Sequence, residues 1–572
     1  MGAVLSLLGH ERCPLPEGVD SLTRQSRTLE DGSRIASYAQ ASLSSPLDDD
    51  DESTLYRNFL SGCQLSEGKA QCLGRSSTSD GSYEWLTYAD VLQMAHNFGS
   101  ALINLGVLQG NSSRVCLYDK YGSVEWVVAQ LGALSQSMVI VTVYDDIDGF
   151  RAMLSAAGAS VLVCGSYGQG CNALDHLEHM PALKMVVVMR CAVDDLDGAK
   201  EKAAAVSAQS GVHLLEMSDV LEVGSSKPHQ PFPPTPDDIA LIIHTSGSIG
   251  TPKGCMLTHR QLMAGVRDVA GPVMRAHLLK GKHGFQSTPE GSQNAHFSYM
   301  PPFFIADQLI QAFAFTHGMR TGFFCGDTSK LLDDCQRVAP HFLASHPLLL
   351  KLVCDRVRQG LAKRRFAVRA LFRLGCLYKQ WLLDNRVVTG DTIFDCLLFS
   401  TMRLFRQLMS CPVAATIGQT ECGSVYCMSL PGCALTDTVA PPTGSLRVKL
   451  IDVPDLEVVR EWASANLCPE QAGLPLEQLY QLESARLMVL DRLAAEAVAS
   501  RLAQHEFVRA VHLTSEPFSQ ANGLLTAIPG AVVGRTADDD AMTFRVGLLQ
   551  QQRGTDEQQR QRGKDAVLLP YG

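Results

Sequence analysis

From Tyr83 onward, stretches long enough for amphipathic helices alternate with short β-branched runs such as Met138-Val139-Ile140-Val141-Thr142-Val143 and Val161-Leu162-Val163. Continuous apolar runs of this length suit strands covered on both faces, and their alternation with helices is the pattern of a largely parallel sheet. The spacing therefore predicts an α/β fold. Two uncharged stretches are long enough to raise the question of a membrane span. Ala152 to Leu174 is broken by Gly158, Gly165, Gly168 and Gly170, and Trp126 to Tyr144 carries Gln130, Ser135, Gln136 and Ser137. A core helix followed by a strand from Met138 to Tyr144 accounts for the second better than a span. Further on, Leu479, Leu482, Leu490, Leu493 and Ala497 recur at roughly 100° per residue, which predicts an amphipathic helix from Glu477 to about Gln504.

Breaks in the pattern predict the connections. Ser225 to Pro236 is Pro-rich, and repeated prolines can continue neither a helix nor a central strand, so a loop between sub-blocks is expected there. Lys280 to Ser298, rich in Gly, Gln, Ser and His, predicts a second surface loop. Residues 1–53 are largely polar and end in Asp48-Asp49-Asp50-Asp51-Glu52, a solvated lead-in, and the Gln/Arg-rich tail from Gln550 is expected to fray.

Composition narrows the functional classes. The 572 residues are 46% hydrophobic, too apolar for a disordered chain. With 49 Lys+Arg against 59 Asp+Glu, the formal charge is -10, and no long basic tract is present to neutralise a phosphate backbone, so nucleic acid is excluded as a partner. The 18 cysteines form no Cys-x-x-Cys pair, and Cys411, Cys422, Cys427 and Cys433 lack metal-ligand spacing, which predicts reduced thiols in an intracellular protein. The N-terminus has no basic n-region, and its apolar run Ala3 to Leu8 is too short for a secretory signal. Met1-Gly2-Ala3-Val4-Leu5-Ser6 fits the pattern for myristoylation of Gly2, with Cys13 as a candidate for palmitoylation. One acyl chain anchors only marginally, so a cytoplasmic location and a peripheral one on an internal membrane both stay open.

The segment richest in chemistry is Ile239-Ala240-Leu241-Ile242-Ile243-His244-Thr245-Ser246-Gly247-Ser248-Ile249-Gly250-Thr251-Pro252-Lys253-Gly254. An apolar strand runs into a loop that can bring backbone N–H groups, hydroxyls and one cation onto a polyphosphate. It is not a P-loop, because Gly254 rather than Ser or Thr follows Lys253. The plain alternative is a Ser/Gly-rich turn after a strand. A second segment, Ile417-Gly418-Gln419-Thr420-Glu421, sets a carboxylate beside a hydroxyl, a pair able to hold Mg²⁺ against phosphate oxygens. Alone it reads equally as an exposed turn.

In this order the two segments resemble the nucleotide-binding parts of the adenylate-forming enzymes, specifically the long-chain fatty-acyl-CoA synthetases. Tyr83 to Tyr88, Glu125 to Asp145, Gly318 to Asp334 and Val448 to Val453 are similar to the same family. The resemblance implies a large α/β adenylation domain over 54–455, a smaller, truncated α+β C-terminal domain over 456–549, and a polar tail over 550–572. It implies ATP, Mg²⁺ and coenzyme A as reactants and cofactors, with a long-chain fatty acid activated first to acyl-adenylate and then to acyl-CoA. Carried over by residue, Thr245, Ser246, Gly247, Ser248, Gly250, Thr251, Lys253 and Gly254 would cradle the phosphates. Gly418, Gln419 and Thr420 would complete the nucleotide site, Glu421 with Thr245 would hold the metal, and Lys253, Thr420 and Glu421 would carry the catalytic roles.

The chain also departs from that family. Ile417 stands where an aromatic residue packs on adenine, Ile249 where the phosphate loop has a hydroxyl, and Phe304 where a histidine is expected. After Asp452-Val453-Pro454-Asp455 neither the ribose-binding Thr-Gly-Asp nor the interdomain hinge follows; Leu456 to Leu467 is instead similar to a later helix of the C-terminal domain. Thr389-Gly390-Asp391 precedes Glu421 and is assigned to chance. No lysine occurs between Lys449 and Lys564, and Gly530 takes the place of the lysine that reaches the α-phosphate in related enzymes. Two readings therefore stand: an active ligase, or a catalytically impaired homologue that binds nucleotide or acyl chain without turnover. A phosphotransferase is disfavoured, since neither a Walker pattern nor a kinase catalytic loop is present.

Overall fold

The computed structural model describes residues 25–28, 34–37, 53–77, 82–145, 149–189, 198–245, 252–269 and 293–341, then 343–345, 347–385, 387, 416–420, 423–428, 443, 447–452 and 456–475, and finally 478–479, 482–485, 487–489, 512–513 and 543–546. The chain divides into two compact units, residues 1–29 with 34–447 and residues 30–33 with 448–572.

In the larger unit, β1 (Ser26–Thr28) and β2 (Arg34–Ala36) form a short antiparallel pair. Next in the chain come β3 (Gln71–Ser76) and β4 (Tyr83–Thr87), followed by β5 (Arg114–Tyr118), β6 (Val139–Val143), β7 (Val161–Cys164), β8 (Met185–Val188), β9 (His213–Glu216), β10 (Ile239–Thr245) and β11 (Lys253–Thr258). The last seven make one sheet in the order β11-β10-β6-β5-β7-β8-β9. Every pair in it is parallel except β10 with β11. Its continuous apolar strands are explained by burial on both sides. Val115, Leu117, Ile140, Val161 and Val163 join a core with Phe98 and Trp126 on one face. Cys116, Tyr118, Val141, Leu162 and Cys164 join a second core with Phe150, Met153 and Leu154 on the other. Successive residues of a strand point to opposite faces, so each β-branched run feeds both cores at once.

The chain visits β6 on one side of β5 and β7 on the other, so the loops after these parallel strands diverge along the sheet's carboxyl edge, where open α/β sheets bind ligands. β10 returns beside β6 and delivers its loop to that edge. A second sheet, with β12 (Ala295–Ser298) and β13 (Arg320–Phe323), runs β12-β13-β3-β4. β14 (Thr416–Gln419) and β15 (Ser424–Met428) pair antiparallel. In the smaller unit, β16 (Arg447–Asp452) pairs in parallel with β17 (His512–Leu513). There the helix Leu456–Asn466 contributes Ala463 to a small core with Leu479, Ala485 and Val489. The α/β architecture expected from the periodicity is observed, with a larger N-terminal part and a smaller C-terminal one.

Three expectations change. Ala295–Ser298 is a fully buried strand in parallel register with β13 rather than the end of a surface loop, because four residues are too short for periodicity to register. The Pro-rich segment is irregular from Lys227, Ser225 and Ser226 ending the helix Met217–Ser226, and it does not separate sub-blocks: Phe232 N–H donates to Ser135 O at 2.8 Å, Ser137 Oγ donates to Phe232 O at 2.8 Å, and β9 and β10 share one sheet across it. The C-terminal stripe is not one continuous helix. A bend falls at Leu482, after which Ala485 and Val489 occupy the core, and residues 490–504 lie outside the described part.

Candidate functional site

β10 is buried from Ala240 to His244 and half-buried at its two ends, Ile239 and Thr245. The chain returns from the loop as β11, whose first residues Lys253 and Gly254 are exposed. The register sets Thr245 opposite Lys253 and His244 opposite Gly254, so the sheet holds together the two strands that flank residues 246–252. Thr245 Oγ1 lies 3.5 Å from Lys253 O, within reach of a weak hydrogen bond that its hydroxyl donates. At Gly254 a Cβ would stand 3.0 Å from Ile242 Cγ2 and 3.5 Å from His244 Nε2, so a side chain there would press on the strand behind it.

Sequence reasoning quoted His244 but assigned it no role. Its ring is buried, Nδ1 lies 2.9 Å from Thr142 O, and Nε2 has no partner among the described residues. Burial lowers its pKa below the ordinary histidine value. A neutral ring donating from Nδ1 to the carbonyl of β6 is the state these contacts favour, and it ties the base of the loop to the central sheet. The signal available in the sequence was a histidine at the end of an otherwise apolar strand.

Thr420 follows β14 and enters a turn closed by Gly423 N–H donating to Thr420 O at 2.9 Å, with Gly423 at a φ of +62° that favours glycine. Cys255 Sγ lies 3.6 Å from the same carbonyl and donates to it. A Cβ on Gly265 would stand 2.4 Å from Gly423 O, so the helix His259–Val269 lies directly against this turn. The structure thereby brings Thr245, Lys253 and Gly254 into the neighbourhood of Thr420, although the two segments are 165 residues apart at the Cys255 contact. Gly418 and Gln419 lie in β14, with Gly418 exposed. Ser246, Gly247, Ser248, Gly250, Thr251 and Glu421 lie outside the described residues, as does Thr389-Gly390-Asp391.

Beyond the end of β6, Tyr144 stacks on Phe303 at 4.6 Å, and Phe304 meets Phe303 edge-on at 5.0 Å. Phe304 precedes the helix Ile305–Thr316 and is 53% exposed, so the residue standing in place of the family's histidine presents hydrocarbon to solvent. One turn further on, Asp307 is buried, its pKa raised to about 7 by burial against the opposing effect of a hydrogen bond from Ser298 Oγ at 3.2 Å. For the expected Mg²⁺, the described residues contain no group of three or more His, Cys, Asp or Glu able to hold a metal ion. Thr245 is the one described member of the expected metal pair, and a single hydroxyl does not make a site.

Comparison with known proteins bears directly on these segments. The mouse protein "Long-chain-fatty-acid--CoA ligase 5" is 29% identical over 474 residues, covering 78% of this chain and 66% of the mouse protein. The human "Long-chain-fatty-acid--CoA ligase 1" is 28% identical over 446 residues, covering 73% of this chain and 61% of the human protein. The chain thus spans just under two thirds of the length of these relatives. Among solved structures, the A-PCP didomain of carboxylic acid reductase from Segniliparus rugosus in complex with AMP covers 85% of this chain and 80% of its own, at 16% identity and a TM-score of 0.48. The profile of the AMP-binding enzyme family matches residues 67–474, which include both the loop after β10 and the turn at Thr420. On a match across well over half its length, the chain belongs to the AMP-binding enzyme family.

Proposed function

We propose that the protein joins a carboxylic acid to AMP at the expense of ATP, and that the acid is a long-chain fatty acid passed on to coenzyme A as a thioester. One observation carries this reading: the strand that begins at Lys253 is fastened through Cys255 to the turn that holds Thr420. The fatty carboxylate would attack the α-phosphorus, forming the acyl–phosphate bond as the bond to pyrophosphate breaks, and the thiol of coenzyme A would then displace AMP. Negative charge on the phosphate oxygens rises as the carboxylate approaches. Donors between Thr245 and Gly254, with the Lys253 ammonium, would stabilise that charge. Thr420 would orient the nucleotide. Mg²⁺ bound to the triphosphate would supply further counter-charge, with Glu421 and Thr245 as its proposed ligands. The division into an adenylation domain over 54–455 and a C-terminal domain over 456–549 belongs to the same proposal.

Long-chain specificity is supported by the relatives' activity and by the half-buried ring of Phe303 and the exposed ring of Phe304 beside Tyr144, which suit hydrocarbon better than a charged acid. The test is exchange of labelled pyrophosphate into ATP, dependent on palmitate and magnesium, followed by assay for acyl-CoA. Lys253→Ala should lower exchange about a hundredfold, the usual cost of one charge-stabilising group. Exchange equal to that of the variant would reject adenylation by this chain.

A second reading has its own support. Ile417 in place of a stacking aromatic, Phe304 in place of a histidine, and the gap between Lys449 and Lys564 all favour a homologue that binds without turnover. It expects saturable ATP or fatty-acid binding with no exchange, so the same assay, paired with a binding measurement, separates the two.

A further inference from the structure

The helix Phe366–Asp384 carries an arrangement that core packing does not explain. At roughly 100° per residue, Phe366, Ala370, Leu371, Leu374 and Leu377 fall within an arc of about 140°. Such a stripe is ordinarily buried, yet Phe366 is 77%, Leu374 56% and Leu377 60% exposed. The helix packs through its last turns, where Leu382 is buried with Val387 and the rings of Tyr378 and Trp381 stack at 5.9 Å.

Charge is distributed as unusually as the hydrocarbon. Lys363, Arg364 and Arg365 precede the helix, and Arg369 and Arg373 border the apolar arc; all five are exposed. No acidic residue occurs from Arg356 to Leu383, in a chain whose formal charge is -10. Cations at a helix N-terminus oppose the helix dipole, and Arg365, Arg369 and Arg373 stand four residues apart, where like charges repel. Among the described residues none of these five cations is in an ion pair. The arrangement therefore works against the isolated helix and calls for an external anionic surface to offset it.

We propose that this face of Phe366–Asp384 docks on an anionic phospholipid surface. Phe366, Leu371, Leu374 and Leu377 would enter the boundary between headgroups and acyl chains, while Arg369 and Arg373 meet lipid phosphates. Charge and hydrocarbon on one face select this partner: a nucleic acid would take the arginines but leave the leucines in water. The helix lies on the surface, since no described helix is long and apolar enough to cross a membrane. The inference concerns where the protein sits, so it stands apart from the proposed reaction.

The test is co-sedimentation of the full-length chain, in a Gly2→Ala background that removes any acyl group, with vesicles of phosphatidylcholine alone or with phosphatidylserine added. Binding should rise at least about tenfold with phosphatidylserine. The double variants Leu374→Ser/Leu377→Ser and Arg369→Glu/Arg373→Glu should each lose that gain, with thermal midpoints equal to the parent's. Three results would overturn the proposal: indifference of the parent to phosphatidylserine, undiminished binding by the leucine variant, which would mark a site for polyanions alone, or a lipid-free dimer abolished by the same leucine substitutions, which would mark the face as a contact between copies.

Discussion

Two buried ionisable side chains respond to pH in opposite directions. His259 accepts a hydrogen bond from Leu55 N–H at 3.1 Å through Nδ1, and burial lowers its pKa to about 4. The unfolded histidine takes up a proton more readily than the folded one, so this group's contribution to stability is present above pH 6.5 and is lost as pH falls toward about 4. Asp307 behaves inversely. Burial raises its pKa from 3.8 to about 7, the folded carboxyl holds its proton more tightly than the unfolded one, and stability is lost as pH rises through that window. The two slopes overlap and partly cancel. Asp307→Asn should unmask a steeper acid loss, approaching about 1.4 kcal/mol per pH unit, in urea midpoints measured from pH 4 to 8. His259→Asn should unmask the reverse slope between pH 4 and 6.5; midpoints that parallel the parent's would refute the assigned protonation states. Neither residue was singled out from sequence, because a buried carboxyl or imidazole reads like any other polar residue until its surroundings are known.

Among the elements, the most exacting contact lies between the helices Tyr88–Asn104 and Met217–Ser226. A Cβ on Gly224 would stand 1.7 Å from Asn97 O, so the two backbones approach as closely as only glycine permits. Gly224→Ala should destabilise by about 2–4 kcal/mol, beyond the gain in helix propensity from alanine, because a backbone carbonyl cannot yield as a side chain can. An unchanged thermal midpoint would show that the helices part without cost. Element by element, legibility followed length. β6 and the helix Val124–Leu134 were readable because a long uncharged run contained its own polar break, whereas β12 was hidden by its four residues and the bend at Leu482 by an uninterrupted leucine spacing.

For the whole molecule, the thiols give the broadest test. The cysteines among the described residues are thiols, with Cys72, Cys116, Cys164, Cys171, Cys335 and Cys427 buried and Cys325, Cys354 and Cys468 exposed. Burial raises the pKa of Cys116, and of Cys335 to about 11, so neither supplies thiolate near neutrality. Native protein titrated with a thiol reagent should react at Cys325, Cys354 and Cys468, and the six buried thiols of the described residues only on unfolding, with the total unchanged by prior reduction. A rise in total thiol after reduction would contradict the reduced state read from cysteine spacing. By itself the sequence determined the α/β class, the strand that delivers the loop after Thr245, and the kinship carried by that loop, since all three are written in local order and period. The tertiary structure alone decided that Thr420 meets Cys255, that His259 holds the start of the helix Leu55–Leu65, and that Leu371, Leu374 and Leu377 of the helix Phe366–Asp384 face outward. Those outcomes join or separate residues far apart in the chain, and partnership at such a distance is set by packing that no local pattern encodes.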